Sequence, residues 1–314
     1  MGLSAFYGAK KPDSERLAVL DSAHSLGELF WDSSDLYGDN EDLIGQWFAA
    51  NPSKRDDVFL ATKFAVKEGL IIDSSPEYCK AACEKSLKRL GIKHIDLYYC
   101  HRVDQETPIE KTVEAMKQLK DEGKIKYLGL SEISSDTLRR AHKVHPISAV
   151  QVEYSPFALD IESKQIDLLK TCRELGVAVV SYSPLCRGML TGALKGPEDL
   201  EEGDFRTFAP RFSKENFPKN LKLADQLGAI AEKKKATPAQ LTLAWLMAQG
   251  QDIFPIPGTT KIQRLKENVG AFDVKLSAED DKEIRKVSEE AEVSGTRYPE
   301  SFMAALYADT PALK

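Results

Sequence analysis

The chain has 314 residues, 42% of them hydrophobic and 29% charged, with a formal net charge of -6 and a pI near 5.6. That balance suits one large globular domain or two ordinary ones and leaves no basic footprint for nucleic acid. No apolar run approaches the ~20 residues of a membrane span, and the opening "MGLSAFYGAKKPDSE" lacks the charged start and long apolar centre of a signal peptide, so the cytoplasm is the expected location.

In chain order, the pattern begins with an amphipathic stretch over 13–27, with Asp13 or Ser14 as its cap and Gly27 at its close. Strand-like runs follow at 29–34 ("LFWDSS") and 57–64 ("DVFLATKF"). A helix over 75–91 carries Pro just after a Ser cap and ends in Gly91. Next come a strand at 95–101, a helix at 107–123, a strand at 126–132 and a helix at 134–144. A strand at 149–155, a helix at 162–176 and a strand at 177–184 continue the alternation. The segment 185–236 is long for one crossover, and its polar part, 195–217, reads as a lid or binding loop. A helix at 237–250, a strand at 252–258 and a helix at 261–272 complete the series.

Most of these strand runs are continuously apolar, as strands covered on both faces are. Strand and helix alternate without a linker, which means a parallel sheet. The expectation is an α/β chain, a single (β/α)8 TIM barrel domain over 1–314. An open doubly wound sheet is the alternative, weakened because G-x-G-x-x-G follows none of the strands. Only seven strand runs are visible. The eighth should precede the first helix, where only "MGLSAFYGAKKP" stands, so the first strand is expected to be missing or a stub.

Five cysteines show no disulfide spacing, and no histidine or second Cys pair lies near Cys79 and Cys83, so reduced thiols and no metal site are expected.

The polar residues fall where a barrel keeps its active site, at the C-terminal ends of the strands. Successive runs end in Asp32, Lys63 and His101, then Ser131 and Glu132, Gln151 and Glu153, Tyr182 and Ser183, and Gly258, Thr259 and Thr260. Tyr37 follows the first run closely. Singly, each has a packing or capping explanation. Together, they bring an acid, a base, an imidazole and a phenol to adjacent exits. A phenol near pKa 10 is a poor acid at neutral pH. A nearby ammonium is expected to lower that value, and a carboxylate would orient the ammonium. Such a set can protonate an alkoxide as hydride reaches its carbon.

The segments "FWDSSDLYG", "LATKF", "IDLYYCHRVD", "KYLGLSE", "VQVEYSPF", "SYSPLCRGMLTG" and "PIPGTTKIQRLKEN" closely resemble the aldo-keto reductases. The likeness is greatest to the fungal and bacterial branch related to potassium-channel β subunits, and it covers residues 1 to 300. It implies an NADPH-dependent reductase of aldehydes and ketones on a (β/α)8 barrel. The catalytic tetrad would be Tyr37, Asp32, Lys63 and His101, with Tyr37 as general acid and His101 orienting the carbonyl. Ser131 and Gln151 would contact the carboxamide of NADPH/NADP+, and Tyr182 would stack on the nicotinamide. Ser183, Leu185, Arg187 and Gly188 would follow the pyrophosphate. Gly258, Thr259, Lys261, Gln263, Arg264, Glu267 and Asn268 would hold the adenosine end, with Lys261 and Arg264 suited to a 2′-phosphate.

The departures are specific. Glu132 stands where many members have Asn, Gly258 where many have Lys, and Cys186 where glycine is common, adding bulk near the diphosphate. The family's N-terminal hairpin and first strand have no counterpart ahead of "MGLSAFYG". The substrate pocket is expected from Phe6, Tyr7, Phe64, Arg102 and the stretch 295–306, whose aromatic content suits a small aryl aldehyde. The rival is a cofactor-binding regulatory module with little turnover. A lyase or isomerase barrel would need a metal cluster or a phosphate-gripping glycine loop, and neither pattern is present.

Overall fold

The computed structural model describes residues 2–314. Helix α1 (Asp13–Ser25) precedes strand β1 (Phe30–Asp32), helix α2 (Asn40–Ala50) and strand β2 (Phe59–Phe64). Then α3 (Pro76–Leu90), β3 (Ile95–Cys100), α4 (Ile109–Asp121), β4 (Ile125–Ser131), α5 (Ser135–Val144) and β5 (Ala149–Glu153) alternate. Helix α6 (Leu168–Leu175), β6 (Ala178–Tyr182), α7 (Phe217–Lys233), α8 (Pro238–Ala248), β7 (Ile253–Pro255) and α9 (Ile262–Val269) follow, with α10 (Ala278–Glu289) and the short α11 (Glu300–Met303) last.

All seven strands pair in sequence order and in parallel. Among the described residues β1 pairs only with β2 and β7 only with β6, so the curled sheet is open along one seam. Pro255 has no N–H to offer, and a strand paired on one side tolerates it.

Alternation along the strands sorts the side chains. Trp31, Leu60, Phe64, Tyr98 and Val150 face the helices and join the main core. Ala61, Leu97, Tyr99, Ala149 and Val180 face inward and form a second, smaller cluster. Gly129 lies opposite Tyr99, where a Cβ would stand 2.4 Å from the ring, so a larger residue would displace this inner layer.

Local signals explain most helix ends. Ser75 accepts from the Tyr78 N–H at 3.2 Å, Pro76 opens α3, and Gly91 closes it at φ 63°. Thr237 and Gln240 cap α8 reciprocally. Neither Asp13 nor Ser14 caps α1: Pro12 is the cap residue, and Asp13 instead pairs with Arg16 at 2.5 Å. The helix expected at 162–176 starts only at Leu168, because Asp167 sits at φ 49° and interrupts the turn. The segment 185–236 is not all loop: α7 fills its second half, burying Leu223, Leu227 and Ile230. No helix among the described residues is long and apolar enough to cross a membrane.

Candidate active site

The polar exits lie on the inward register. Asp32 follows Phe30 by two residues, Lys63 follows Ala61, His101 follows Tyr99, Gln151 follows Ala149 and Tyr182 follows Val180. A step of two keeps a side chain on the same face of a strand. The apolar inner layer is therefore topped by a polar one.

Lys63 is fully buried and bonds Asp32, with Ser33 O at 2.7 Å. Its Nζ also reaches Tyr37 OH at 3.5 Å. The turn after β1 delivers Tyr37, whose N–H donates to Ser34 O at 3.1 Å. The rings of Phe6 and His101 stand edge-on to Tyr37, with centroids 6.3 and 5.9 Å away. His101 Nδ1 faces Ser34 Oγ at 3.3 Å.

Burial dominates the electrostatics. It pushes the Tyr37 phenol well above its ordinary pKa, and the Asp32 carboxylate adds to the rise. The expectation of a lowered phenol pKa is thereby corrected: loss of solvent dominates, and the cation that opposes it is Arg102. Burial also lowers Lys63, opposed by Asp32. His101 falls well below its usual value through burial, Arg102 and Lys63, so its imidazole is neutral.

A cavity of about 180 Å³ opens over this layer. Phe6, Tyr7 and Arg102 line it, together with Tyr37, His101 and Tyr182. Phe64 does not. It shares the outward register of Leu60 and Thr62, stacks on Tyr98 at 5.0 Å and belongs to the main core. Its assignment to the pocket is corrected, since the inward position of the pair is Lys63.

The exits expected to hold a cofactor are partly engaged with one another. Gln151 Nε2 donates to Asp32 Oδ2 at 2.8 Å, and Ser131 Oγ accepts from Arg102 at 3.1 Å. Tyr182 OH donates to Glu132 Oε1 at 2.7 Å. The turn after β6 is left-handed at Ser183, Cys186, Arg187 and Gly188, and Gly188 N–H donates to Leu185 O at 3.0 Å. Cys186, the residue whose bulk the sequence places near the diphosphate, is buried in the main core. At the β7 exit, Gly258 has open space where a Cβ would be. Thr259 Oγ1 accepts from Lys261 N–H at 3.1 Å, and α9 starts without a side-chain cap, leaving its first N–H groups for an anion. Lys261 and Gln263 are exposed, Arg264 pairs with Glu267 at 2.6 Å, and Asn268 lies half-buried on the same helix.

The sequence places the stretch 295–306 at the pocket without singling out Arg297, and it names neither Arg211 nor Phe205 as a site residue. Arg297 is buried between Glu132 (3.1 Å) and Glu153 (3.1 Å), and Arg211 shares Glu153 at 3.1 Å. Phe205, from the polar stretch expected to be a lid, lines the cavity beside Tyr298. Only the "GTRYPESF" stretch hinted at Arg297 and Tyr298, and nothing local marks their partners.

The Aldo/keto reductase family model matches residues 1–289. The chain is 54% identical over its full length to aldo-keto reductase str7 of Strobilurus tenacellus, covering 92% of that protein. It is 51% identical, again over its full length, to aldo-keto reductase yakc [NADP(+)] of Schizosaccharomyces pombe, covering 94% of it. Among solved structures, a glycerol dehydrogenase from Gluconobacter oxydans superposes with a TM-score of 0.82 at 26% identity, over 95% of this chain and 92% of that one.

Proposed function

This chain belongs to the aldo/keto reductase family, and from that premise we propose that it reduces aldehydes and ketones to alcohols with NADPH, as one domain over residues 1–314. The observation that carries the reading is the 3.5 Å approach of Lys63 Nζ to Tyr37 OH, with Asp32 behind the lysine and His101 beside the phenol. The printed name of the yakc relative supports the choice of NADP(H). So do the uncapped start of α9, the space at Gly258 and the charges of Lys261 and Arg264.

NADPH, when bound, supplies the hydride. The chain's own part is to handle the oxygen. Tyr37, kept protonated by burial, gives its phenolic proton to the carbonyl oxygen as negative charge grows there. Lys63 steadies the resulting phenolate, and Asp32 fixes the ammonium. His101 is neutral and presents its second nitrogen, Nε2, as a donor to the same oxygen, while Nδ1 rests on Ser34. Phe6, Tyr7 and Tyr298 shield the site from water, and their aromatic surface favours a small aryl aldehyde. Fluorescence titration with NADPH, followed by the rate of NADPH oxidation with benzaldehyde, tests the proposal. Binding with turnover supports it; binding without turnover on any aldehyde removes the reductase reading.

A further inference from the structure

Thirteen arginines occur in the chain. Eleven have a carboxylate oxygen within 4.0 Å. Among the described residues, the two without one are Arg102 and Arg187, and both line the cavity. A guanidinium remains charged at any working pH and is costly to keep from water without an anion.

The acids of the mouth are already committed. Asp32 serves Lys63 and Gln151, Glu132 serves Tyr182 and Arg297, and Glu153 serves Arg211 and Arg297. Arg187 has another supporter: its guanidinium lies over the rings of Phe205 (5.0 Å) and Tyr298 (4.6 Å), and it donates to Arg297 O at 2.9 Å. Arg102 has only neutral acceptors. Its Nη1 donates to His101 O at 2.6 Å and to Ser131 Oγ at 3.1 Å, which anchors the group from one side and aims it. It lines the same cavity as His101 and Tyr37, so its charge stands beside the place where the reacting carbonyl would lie.

From this arrangement we propose that Arg102 is a specificity residue that binds a carboxylate on the substrate, making the preferred substrates carbonyl compounds that carry a carboxylate. Apart from Arg187, which is held against Phe205, Tyr298 and the Arg297 carbonyl, the rest of the cavity wall, Leu36, Val66, Ile72 and Phe302 included, carries no charged side chain beyond the reaction site and would hold the apolar body of such a molecule. The inference rests on the reductase reading for its chemistry but not for its binding.

The experiment compares 2-, 3- and 4-formylbenzoate with their methyl esters, by kcat/KM, in the wild type, Arg102→Met and Arg102→Lys. At least one acid is expected to exceed its ester by tenfold or more in the wild type. That ratio should collapse toward one in Arg102→Met and return in part in Arg102→Lys. Esters equal to or better than acids at all three positions would overturn the proposal, as would a ratio that survives Arg102→Met. Benzoate binding to the cofactor-free protein, by calorimetry, gives a readout free of turnover. Binding that is lost in Arg102→Met supports the site even if no aldehyde is reduced, in which case only the reductase reading fails. No difference in benzoate binding between wild type and Arg102→Met overturns it, as does a loss of NADPH affinity in that variant with the acid-to-ester ratio unchanged, which would assign Arg102 to the cofactor.

Discussion

Gln151 on the fifth strand donates its amide N–H to Asp32 Oδ2 on the first, at 2.8 Å. Three strands lie between them in the sheet, so the bond exists only because the sheet curls. The other Asp32 oxygen holds Lys63. Gln151→Leu would leave a nearly buried carboxylate oxygen without its donor, at a cost of about 1–3 kcal/mol. The variant should unfold at lower urea and lose kcat/KM together, because Asp32 is then freer to leave Lys63. Wild-type values in both assays would show the bond to be idle.

Tyr37→Phe removes the only proton that the phenol can give while keeping the ring against Phe6 and His101. Reduction should fall by about 10²–10⁴-fold, the usual worth of general acid catalysis. NADPH affinity should stay near wild type in the same fluorescence titration. Undiminished turnover would exclude Tyr37 as the acid.

Arg264 sits in the first turn of α9, paired with Glu267. If it also meets a 2′-phosphate, Arg264→Ala should weaken NADPH by roughly tenfold, the scale of a charge-assisted hydrogen bond. NADH, which lacks that phosphate, should bind nearly as before. Equal losses for the two nucleotides would remove the assignment.

Burial, and then the nearby Glu41, raise the Asp35 carboxyl to about 7. Asp35 also faces Ser34 (3.3 Å) and Tyr78 (3.3 Å). The folded state therefore holds a proton that the unfolded chain releases near its ordinary carboxylate value. Stability from this group is full below that ordinary value and is lost as pH rises toward about 7. Asp35→Asn keeps the neutral shape, so it should raise Tm at pH 8 relative to wild type, by about 2–4 °C for each kcal/mol gained. At pH 4 the two proteins should melt together. A variant that gains nothing at pH 8 would place the Asp35 pKa in the ordinary range.

The fold was legible because its signals are local. Each of the seven strand runs overlaps a strand, and the Ser75–Pro76 start and Gly91 stop of α3 lie at its ends. The α7 helix was harder to read, since a polar stretch precedes it and its apolar face shows only against the core. The outward direction of Phe64 follows from the sequence alone: it neighbours Lys63, and neighbours on a strand face opposite ways.

The sequence by itself determined the alternation of strand and helix, the parallel sheet and the polar residues waiting at the strand exits, because periodicity, caps and breakers act over a few residues. Tertiary structure alone decided that the Tyr37 pKa rises, that Gln151 reaches Asp32, and that Arg102 and Arg187 go without an acid. Those outcomes depend on solvent exclusion and on which side chains meet across the curled sheet. Both arise from contacts between residues far apart in the chain, and no local pattern records them.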